Sequence, residues 1–313
     1  MSRPTRADPG GRAYLDLQNL ARRQGRFTQE LLTMYALERF LARLAASEHA
    51  GTFVLKGGML LAVLAARRAT VDADFLATSL VNEEAAVLER VVEIASIVPD
   101  VDDGVRYAVG TARARTIREG ALYTGVRITM DAQVSTATVK LQLDINFGDP
   151  ITPAPVEIDY PGLREGTPSI PVLGYPLVTV IAEKVSTAVD LGQANTRVRD
   201  YADLWTLTGV HDVDGDQLRE ALEATTAHRG VQLRPLSEAV SNLGSARAAT
   251  YAAYRRRLGV DAGPLPSEFA VVVAAVIRFA DAVLAGTLDP GSRWHAPSRT
   301  WQSPAGTTTT VDP

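Results

Sequence analysis

The sequence predicts an α+β fold, in which a mixed sheet with flanking helices is followed by a mainly helical C-terminal lobe. In the first half of the chain, short segments rich in β-branched and aromatic residues alternate with segments in which apolar residues recur at helical spacing. In the second half, the apolar pattern is almost entirely helical. The predicted helices there are 177–191, 198–208, 216–227, 236–257 and 267–285.

Composition excludes several classes of protein. The chain has 313 residues, 46% of them hydrophobic, so it can bury one large core or two modest ones and is too apolar to be disordered. It lacks an apolar run long enough to cross a bilayer and an apolar secretory segment, which predicts a soluble, cytoplasmic protein. Without cysteine, disulfides and thiol catalysis are excluded. The net charge of −4 argues against indiscriminate nucleic-acid coating, although a local basic groove stays open.

The chain divides into an arm, two folded regions and a tail. The first region is a loose arm with at most one short helix, the second contains the sheet, the third is mainly helical, and the last is a flexible tail. Their predicted bounds are 1–27, 28–160, 161–288 and 289–313. A stretch rich in proline and glycine, 150–176, is the best candidate for the connection between the two folded regions, and an edge strand is possible at Val172-Leu173.

A glycine turn joins a strand to a helix early in the chain. The β-rich run 52–55 leads into Lys56-Gly57-Gly58, and a helical apolar stretch follows. Glycine leaves backbone N–H groups unobstructed, and the N-terminus of a helix favours anions. This order predicts a site for the phosphates of a nucleoside triphosphate (NTP), with Lys56, Gly57 and Gly58 in contact with them.

Three aspartates are predicted to hold a divalent metal. Carboxylates and apolar residues alternate over 71–76 at the two-residue period of a strand, so Asp72 and Asp74 face the same side. Asp144 lies on the polar face of a later alternating strand and could complete the site. Paired carboxylates can bridge two metal ions about 3.5 to 4 Å apart, and Mg²⁺ or Mn²⁺ prefers oxygen ligands.

Each of these elements is common by chance when taken alone. Their order, a glycine turn that opens a helix, then Asp-x-Asp on a strand, then an aspartate on a later strand, resembles the nucleotidyltransferase superfamily of DNA polymerase beta. Enzymes of this kind lower the barrier to nucleotidyl transfer mainly through metals that align the phosphates.

A closer resemblance is to the AbiEii family of abortive-infection nucleotidyltransferase toxins. The segments that carry it are 37–44, 53–61, 68–75, Glu183-Lys184 within an apolar helix, and 199–204. The resemblance as a whole covers roughly residues 28 to 210. The resemblance implies Asp72 and Asp74 as metal ligands, Lys184 as a triphosphate contact, and Asp203 as an acidic residue needed for activity.

Structural alternatives remain open for several of these residues. Lys184 could be a helix-surface lysine paired with a neighbouring carboxylate on its own helix, and Asp203 could pair with Arg199 one turn earlier. Arg68 either binds phosphate or braces the aspartates as a counter-ion. Asp200 fits a structural role better than a catalytic one.

Thr70 is a candidate regulatory residue. It lies two residues before Asp72, so its side chain is expected on the same face of the strand. A phosphate on Thr70 would add about −1.5 to −2 charges where the triphosphate must enter.

Three functions fit the sequence. The resemblance implies a toxin that transfers nucleotides from an NTP, expected to be CTP or UTP, to an RNA end such as the tRNA 3′ acceptor end, with a winged-helix antitoxin as its partner. The second is a nucleotidyltransferase that modifies an antibiotic or a protein hydroxyl. The third, a binding module without chemistry, is disfavoured because Asp72 and Asp74 would repel one another without a metal.

Overall fold

The computed structural model describes residues 3–65, 70–119 and 123–304 and has the predicted α+β fold. The chain forms two compact units. The first comprises Met1–Asp149 with Pro155–Tyr175, and the second comprises Pro150–Ala154 with Pro176–Pro313. Among the described residues, no helix combines the length and the apolar character that crossing a membrane requires.

The first unit is built around a mixed seven-stranded sheet. In chain order its elements are α1 (Pro9–Gln24), α2 (Thr28–Ala45), β1 (Phe53–Lys56), α3 (Gly57–Leu64), β2 (Ala73–Ala77), α4 (Glu84–Ser96), β3 (Val105–Glu119), β4 (Tyr123–Val134), β5 (Ala137–Phe147), β6 (Val156–Tyr160) and β7 (Ile170–Gly174). The strand order is β3-β4-β5-β2-β1-β7-β6. Strand β2 is parallel to β5 and β1 is parallel to β7, whereas the other neighbours are antiparallel.

One face of this sheet is apolar, and the other carries the charged residues of β1, β2 and β5. Helix α2 packs against β5 and β7, and its Phe40 ring meets the Phe75 ring of β2 edge to face at 6.4 Å. Leu143 of β5, the cross-strand partner of Ala73, is buried on the same face. The alternation of β2 and β5 therefore places Asp74 and Asp144 on the opposite face.

The N-terminal arm, which was expected to be loose with at most one short helix, contains the 16-residue helix α1. Asp8 caps α1 by accepting a hydrogen bond from the Gly11 N–H at 2.8 Å, and Gly25 ends it in a left-handed conformation. Pro9 occupies the first helical position, where its missing N–H costs nothing. The helix buries one apolar stripe: Ala13, Leu17 and Ala21. The many arginines and glycines of this segment hid that stripe.

The predicted connection at 150–176 contains two strands of the first unit. Strand β7 pairs with both β1 and β6, so Val172 lies in an interior strand and β6 forms the edge. The predicted boundary between residues 160 and 161 therefore falls inside the β6–β7 hairpin. Prolines in and around these strands gave the segment the composition of a linker.

The second unit is mainly helical, as predicted. Its elements are α5 (Leu177–Leu191), α6 (Val198–Val210), β8 (Val213–Asp214), α7 (Gly215–Arg229), α8 (Leu236–Ala239), α9 (Leu243–Ala246), α10 (Ala248–Leu258), α11 (Phe269–Leu284), β9 (Arg293–His295) and β10 (Thr300–Gln302). The helix predicted over 236–257 is broken into three. A Cβ at Gly244 of α9 would lie 2.9 Å from the Ala270 Cα, so α9 packs closely against α11 at this glycine.

The predicted flexible tail is folded up to residue 304. Strands β8, β9 and β10 form a small sheet. Trp294 is buried against Phe279 and donates its indole N–H to the Thr208 carbonyl at 2.7 Å. Trp301 stacks on Phe279. Burial of Trp294 and the packing of Trp301 outweigh the proline and serine content. Residues 305–313 lie outside the described residues.

Candidate active site

Three aspartates meet on the polar face of the sheet in the first unit. Asp72 directly precedes β2, Asp74 lies within β2, and Asp144 lies opposite Asp74 on the parallel strand β5. Asp72 and Asp74 are half-buried and Asp144 is buried. One carboxylate oxygen of each lies within 4.8 Å of those of the other two. This donor set of hard oxygens fits a divalent metal.

Asp74 and Asp144 belong to a row of charged residues that crosses four strands. In register order, Lys56 of β1 is opposite Asp74 of β2, Asp74 is opposite Asp144 of β5, and Asp144 is opposite Arg127 of β4. Directly opposed residues of paired strands present their side chains on the same face. The row thus has two central carboxylates flanked by one cation on each side.

Arg127 holds the buried carboxylate of this row. Its Nε donates to Asp144 Oδ1 at 2.7 Å and its Nη2 donates to Asp144 Oδ2 at 2.6 Å. The hydrogen bonds with Asp144, aided by the charges of Asp144, Asp72 and Asp74, outweigh burial and raise the pKa of Arg127. Sequence reasoning missed Arg127. The available signal was its place between Val126 and Ile128 on the polar face of an alternating strand.

Gly57 is required where α3 meets the aspartates. Its φ of 66° is in the left-handed region, and an added Cβ would collide with the Asp74 carboxylate. Only glycine combines this backbone conformation with this close approach. The glycine turn therefore lies directly against Asp74.

Replacing Gly57 with alanine is expected to cost about 1 to 2 kcal/mol in backbone strain and to displace Asp74. We expect a large loss of any activity at this site with only a modest decrease in melting temperature. Gly51→Ala is the matched control, because a Cβ there would meet no atom within 4 Å. Equal transfer by the two variants would contradict a role for Gly57 in shaping the site.

The Lys56 ammonium forms a buried ion pair. Its Nζ lies 2.9 Å from Asp149 Oδ2 and 5.0 Å from the centre of the Tyr175 ring. The Lys56 and Asp149 side chains are both buried. A contact between Lys56 and a triphosphate would require this pair to open. Arg68, another predicted phosphate contact, lies outside the described residues.

Thr70 positions Asp72. The Thr70 side chain is buried, and its hydroxyl lies 2.9 Å from Asp72 Oδ1 and 3.1 Å from the Asp72 carbonyl oxygen. The hydroxyl is therefore on the same side as the Asp72 carboxylate, as the two-residue spacing predicted. A hydroxyl in this position donates to the carboxylate and restricts its orientation.

Lys184 forms the centre of a buried ionic cluster in the second unit. Its Nζ, on α5, lies 2.9 Å from Asp200 Oδ1 and 2.9 Å from Asp203 Oδ2, both on α6. The three side chains are 14%, 6% and 5% exposed. Lys184 therefore pairs across helices rather than along its own helix, and Asp203 pairs with Lys184.

The pKa shifts of Lys184 and Asp200 both favour their charged forms. Burial lowers the pKa of Lys184, but the carboxylates of Asp203 and Asp200 outweigh burial and raise the pKa overall. Burial raises the pKa of Asp200, but Lys184 and Arg197 outweigh it and hold the pKa below its usual value. The Arg197 Nε lies 2.6 Å from Asp200 Oδ2. These ion pairs offset part of the cost of burying the cluster.

Other charged motifs of the sequence have structural roles. On α2, Glu38 accepts a hydrogen bond from the Leu163 N–H at 2.6 Å, and Arg43 pairs with Asp103 at 2.7 Å. The 37–44 segment thus fastens α2 to two loops of the first unit. In the basic run at the end of α10, Arg255 donates to carbonyl oxygens of the following loop.

Solved structures of other proteins share this fold. MenT4, a nucleotidyltransferase toxin from Mycobacterium tuberculosis H37Rv, matches with a TM-score of 0.54 and 17% identity over 87% of this chain and 90% of that chain. A putative nucleotidyltransferase from Helicobacter pylori matches with a TM-score of 0.51 and 17% identity over 83% and 98%. JHP933 from Helicobacter pylori matches with a TM-score of 0.50 and 16% identity over 83% and 94%. None of the curated proteins matches this chain.

A family model covers most of the sequence. The model of the nucleotidyl transferase AbiEii toxin of type IV toxin–antitoxin systems matches residues 39–275. The matched segment contains the three aspartates of the first unit and the lysine cluster of the second. The resemblance drawn from the sequence motifs is thereby confirmed, and the chain belongs to the AbiEii family of nucleotidyltransferase toxins.

Proposed function

We propose that this nucleotidyltransferase uses Mg²⁺ or Mn²⁺ and an NTP, with CTP or UTP expected, to add nucleotides to an RNA end. The expected acceptor is the 3′ end of tRNA, where an added nucleotide would block aminoacylation and hence translation. The observation that carries this proposal is the meeting of Asp72, Asp74 and Asp144 beside the start of α3. Membership in the toxin family supports it.

The residues of the site divide into ligands and phosphate contacts. Asp72 and Asp74 would hold the metal, with Asp144 as the third carboxylate. When bound, a divalent metal neutralises phosphate charge and aligns the attacking and leaving oxygens. The backbone N–H groups of Gly57 and Gly58 would bind the triphosphate at the positive end of α3.

In the second unit, Lys184 would contact the triphosphate, and Asp203 would be needed for activity because it holds the Lys184 ammonium. The distances within the cluster support the second role directly. Arg68 remains proposed as a phosphate contact or counter-ion. The proposed protein partner is the cognate winged-helix antitoxin.

Transfer assays with each of the four labelled NTPs test this function. Purified protein is incubated with Mg²⁺ and total RNA, and the products are separated into RNA, protein and small molecules. We expect label in RNA of tRNA size, from one pyrimidine triphosphate, and none in the presence of EDTA. Label confined to protein would favour the protein hydroxyl as acceptor, and label on an added aminoglycoside in place of RNA would favour antibiotic modification.

Binding of the NTP is expected to depend on the metal. Without a divalent cation, Asp72 and Asp74 present like charge to the phosphates, so the two repel one another. Calorimetry with CTP and UTP should therefore show binding in Mg²⁺ and at least about a tenfold weaker affinity in EDTA, the effect of about 1.4 kcal/mol. Equal affinities under the two conditions would contradict binding of the triphosphate at the aspartates.

Phosphorylation of Thr70 is proposed to switch the enzyme off. A negative group at the Thr70 hydroxyl would face Asp72 Oδ1, which is 2.9 Å away, and would repel both the carboxylate and the entering triphosphate. We expect Thr70→Glu to be folded and inactive, whereas Thr70→Val, which loses only the hydrogen bond, keeps measurable transfer. Wild-type transfer by Thr70→Glu would reject this form of control.

A further inference from the structure

The Asp144 carboxylate has two roles. It is the third oxygen donor of the proposed metal site, and it is also the partner of Arg127, whose fork reaches both of its oxygens at 2.7 and 2.6 Å. The amide of Gln142 adds a contact to Asp144 Oδ2 at 3.3 Å. Both carboxylate oxygens are therefore engaged by protein donors.

A divalent metal and the Arg127 guanidinium would compete for this carboxylate. The bidentate arrangement is a strong ion pair, and it is shielded because Asp144 is buried. A metal held by Asp72, Asp74 and Asp144 would have to lie a few ångströms from a fixed positive charge. Two cations on one buried carboxylate repel, so the binding of one weakens the binding of the other.

We propose that Arg127 is a resident counter-cation of the metal site, which occupies Asp144 in the metal-free protein and leaves it when a divalent metal binds. Metal binding at the aspartates is then an exchange of cations at Asp144. This inference rests on the proposed function, because it assumes that the three aspartates hold a metal. It assigns Arg127 as a positioning residue that sets the metal affinity of the site.

The proposed exchange also predicts that, without metal, an Arg127 variant is less stable than the wild type. Arg127 neutralises one of three carboxylates whose oxygens lie within 4.8 Å of one another. Without Arg127, the remaining like charges repel, so the metal-free protein is less stable and gains more from metal. The Mn²⁺-induced increase in melting temperature should therefore be larger in an Arg127 variant than in the wild type.

Titration of Mn²⁺ into NTP-free protein by calorimetry tests the exchange. Arg127→Met should bind Mn²⁺ more tightly than the wild type, by about tenfold, within the range usual for coupling between two sites. Arg115→Met is the matched control, since Arg115 is exposed and lies opposite Arg127 on β3, one strand further from Asp144. Its removal takes away the same charge without the ion pair and should change the affinity by less than about twofold.

The exchange at Asp144 is isolated by a double variant. In the Asp144→Asn background, adding Arg127→Met should leave Mn²⁺ affinity unchanged within about twofold, because the shared carboxylate is gone. Weaker or unchanged Mn²⁺ binding by Arg127→Met, or an equal gain in Arg115→Met, would overturn the proposal. If the wild type binds Mn²⁺ no better than Asp72→Ala does, the three aspartates do not form the metal site. Both the proposed site and the proposed exchange would then be wrong.

The wild-type protein offers a second measurement that does not depend on folding of a variant. In protein labelled with ¹⁵N-arginine, the Arg127 Nε–H signal, assigned with Arg127→Lys, should be protected from solvent exchange while it donates to Asp144. Saturating Mg²⁺ should remove that protection. Protection that persists in Mg²⁺ with the metal bound would show that Arg127 and the metal share Asp144, which would refute the exchange.

Discussion

Replacing Asp72 with alanine is expected to abolish nucleotidyl transfer while the protein remains folded. Asp72 is half-buried, and one of its oxygens lies within 4.8 Å of oxygens of Asp74 and Asp144. Its loss removes a ligand from the proposed metal site and should cost several kcal/mol of transition-state stabilisation, or about 10³-fold in rate. Excess NTP should not restore the rate, because the loss is in the transition state rather than in binding.

The fold should tolerate this change for electrostatic reasons. Removing Asp72 relieves repulsion among three neighbouring carboxylates. The Thr70 hydroxyl loses the carboxylate but keeps the backbone carbonyl oxygen of residue 72 as an acceptor at 3.1 Å. Label transfer to tRNA would be measured across an NTP titration, with circular dichroism melts to confirm folding. Asp100→Ala, at an exposed loop aspartate, is the control for loss of one negative charge. Near wild-type transfer by folded Asp72→Ala would remove the main support for the metal site.

Helices and strands that show their own apolar periodicity could be predicted from the sequence. Strands that are fixed mainly by hydrogen bonding to another strand could not. Helix α5 matches the predicted 177–191 at both ends, because apolar residues recur at helical spacing over most of its length. The edge strand β3 was not placed. Arg106, Arg113 and Arg115 are exposed on it, so the strand is set largely by its long pairing with β4 rather than by its own apolar residues.

The same distinction applies to the site. The two-residue period predicted correctly that Asp72 and Asp74 share a face, since this geometry is local. The approach of Asp144 depends on the parallel pairing of β2 and β5, which joins residues about seventy positions apart in the chain. Arg127 was missed for that reason, because only the β4–β5 register puts it opposite Asp144. Spacing along the chain does not reveal the register between strands.

Replacing Lys184 with alanine is expected to reduce both activity and stability, whereas the sequence alone predicted only a weakened triphosphate contact. The substitution leaves Asp200 and Asp203 buried without their shared cation. Breaking a buried ion pair by removing one partner costs about 3 to 5 kcal/mol. Urea unfolding would measure this loss. An unchanged unfolding midpoint would show that the cluster contributes nothing to the fold.

The pKa shifts define the pH range of this effect. The raised pKa of Lys184 means that its contribution to stability is complete below the ordinary lysine value of about 10.4 and is lost as pH rises through the higher folded value. The lowered pKa of Asp200 means that its contribution is complete above about 3.9 and is lost as pH falls through the lower folded value. The contribution of the Lys184–Asp200 pair to wild-type stability should therefore be constant between about pH 5 and 9.

A variant without any charge in the cluster separates the two roles of Lys184. The combination of Lys184→Met, Asp200→Asn and Asp203→Asn leaves no unpaired buried charge, so its unfolding midpoint should recover much of the loss seen in Lys184→Ala. If Lys184 contacts the triphosphate, transfer by the recovered protein should stay low and rise with NTP concentration, because charge neutralisation at the phosphates is what remains missing. Wild-type transfer by this stable triple variant would make the cluster purely structural, and the proposed triphosphate contact would then have to come from the first unit.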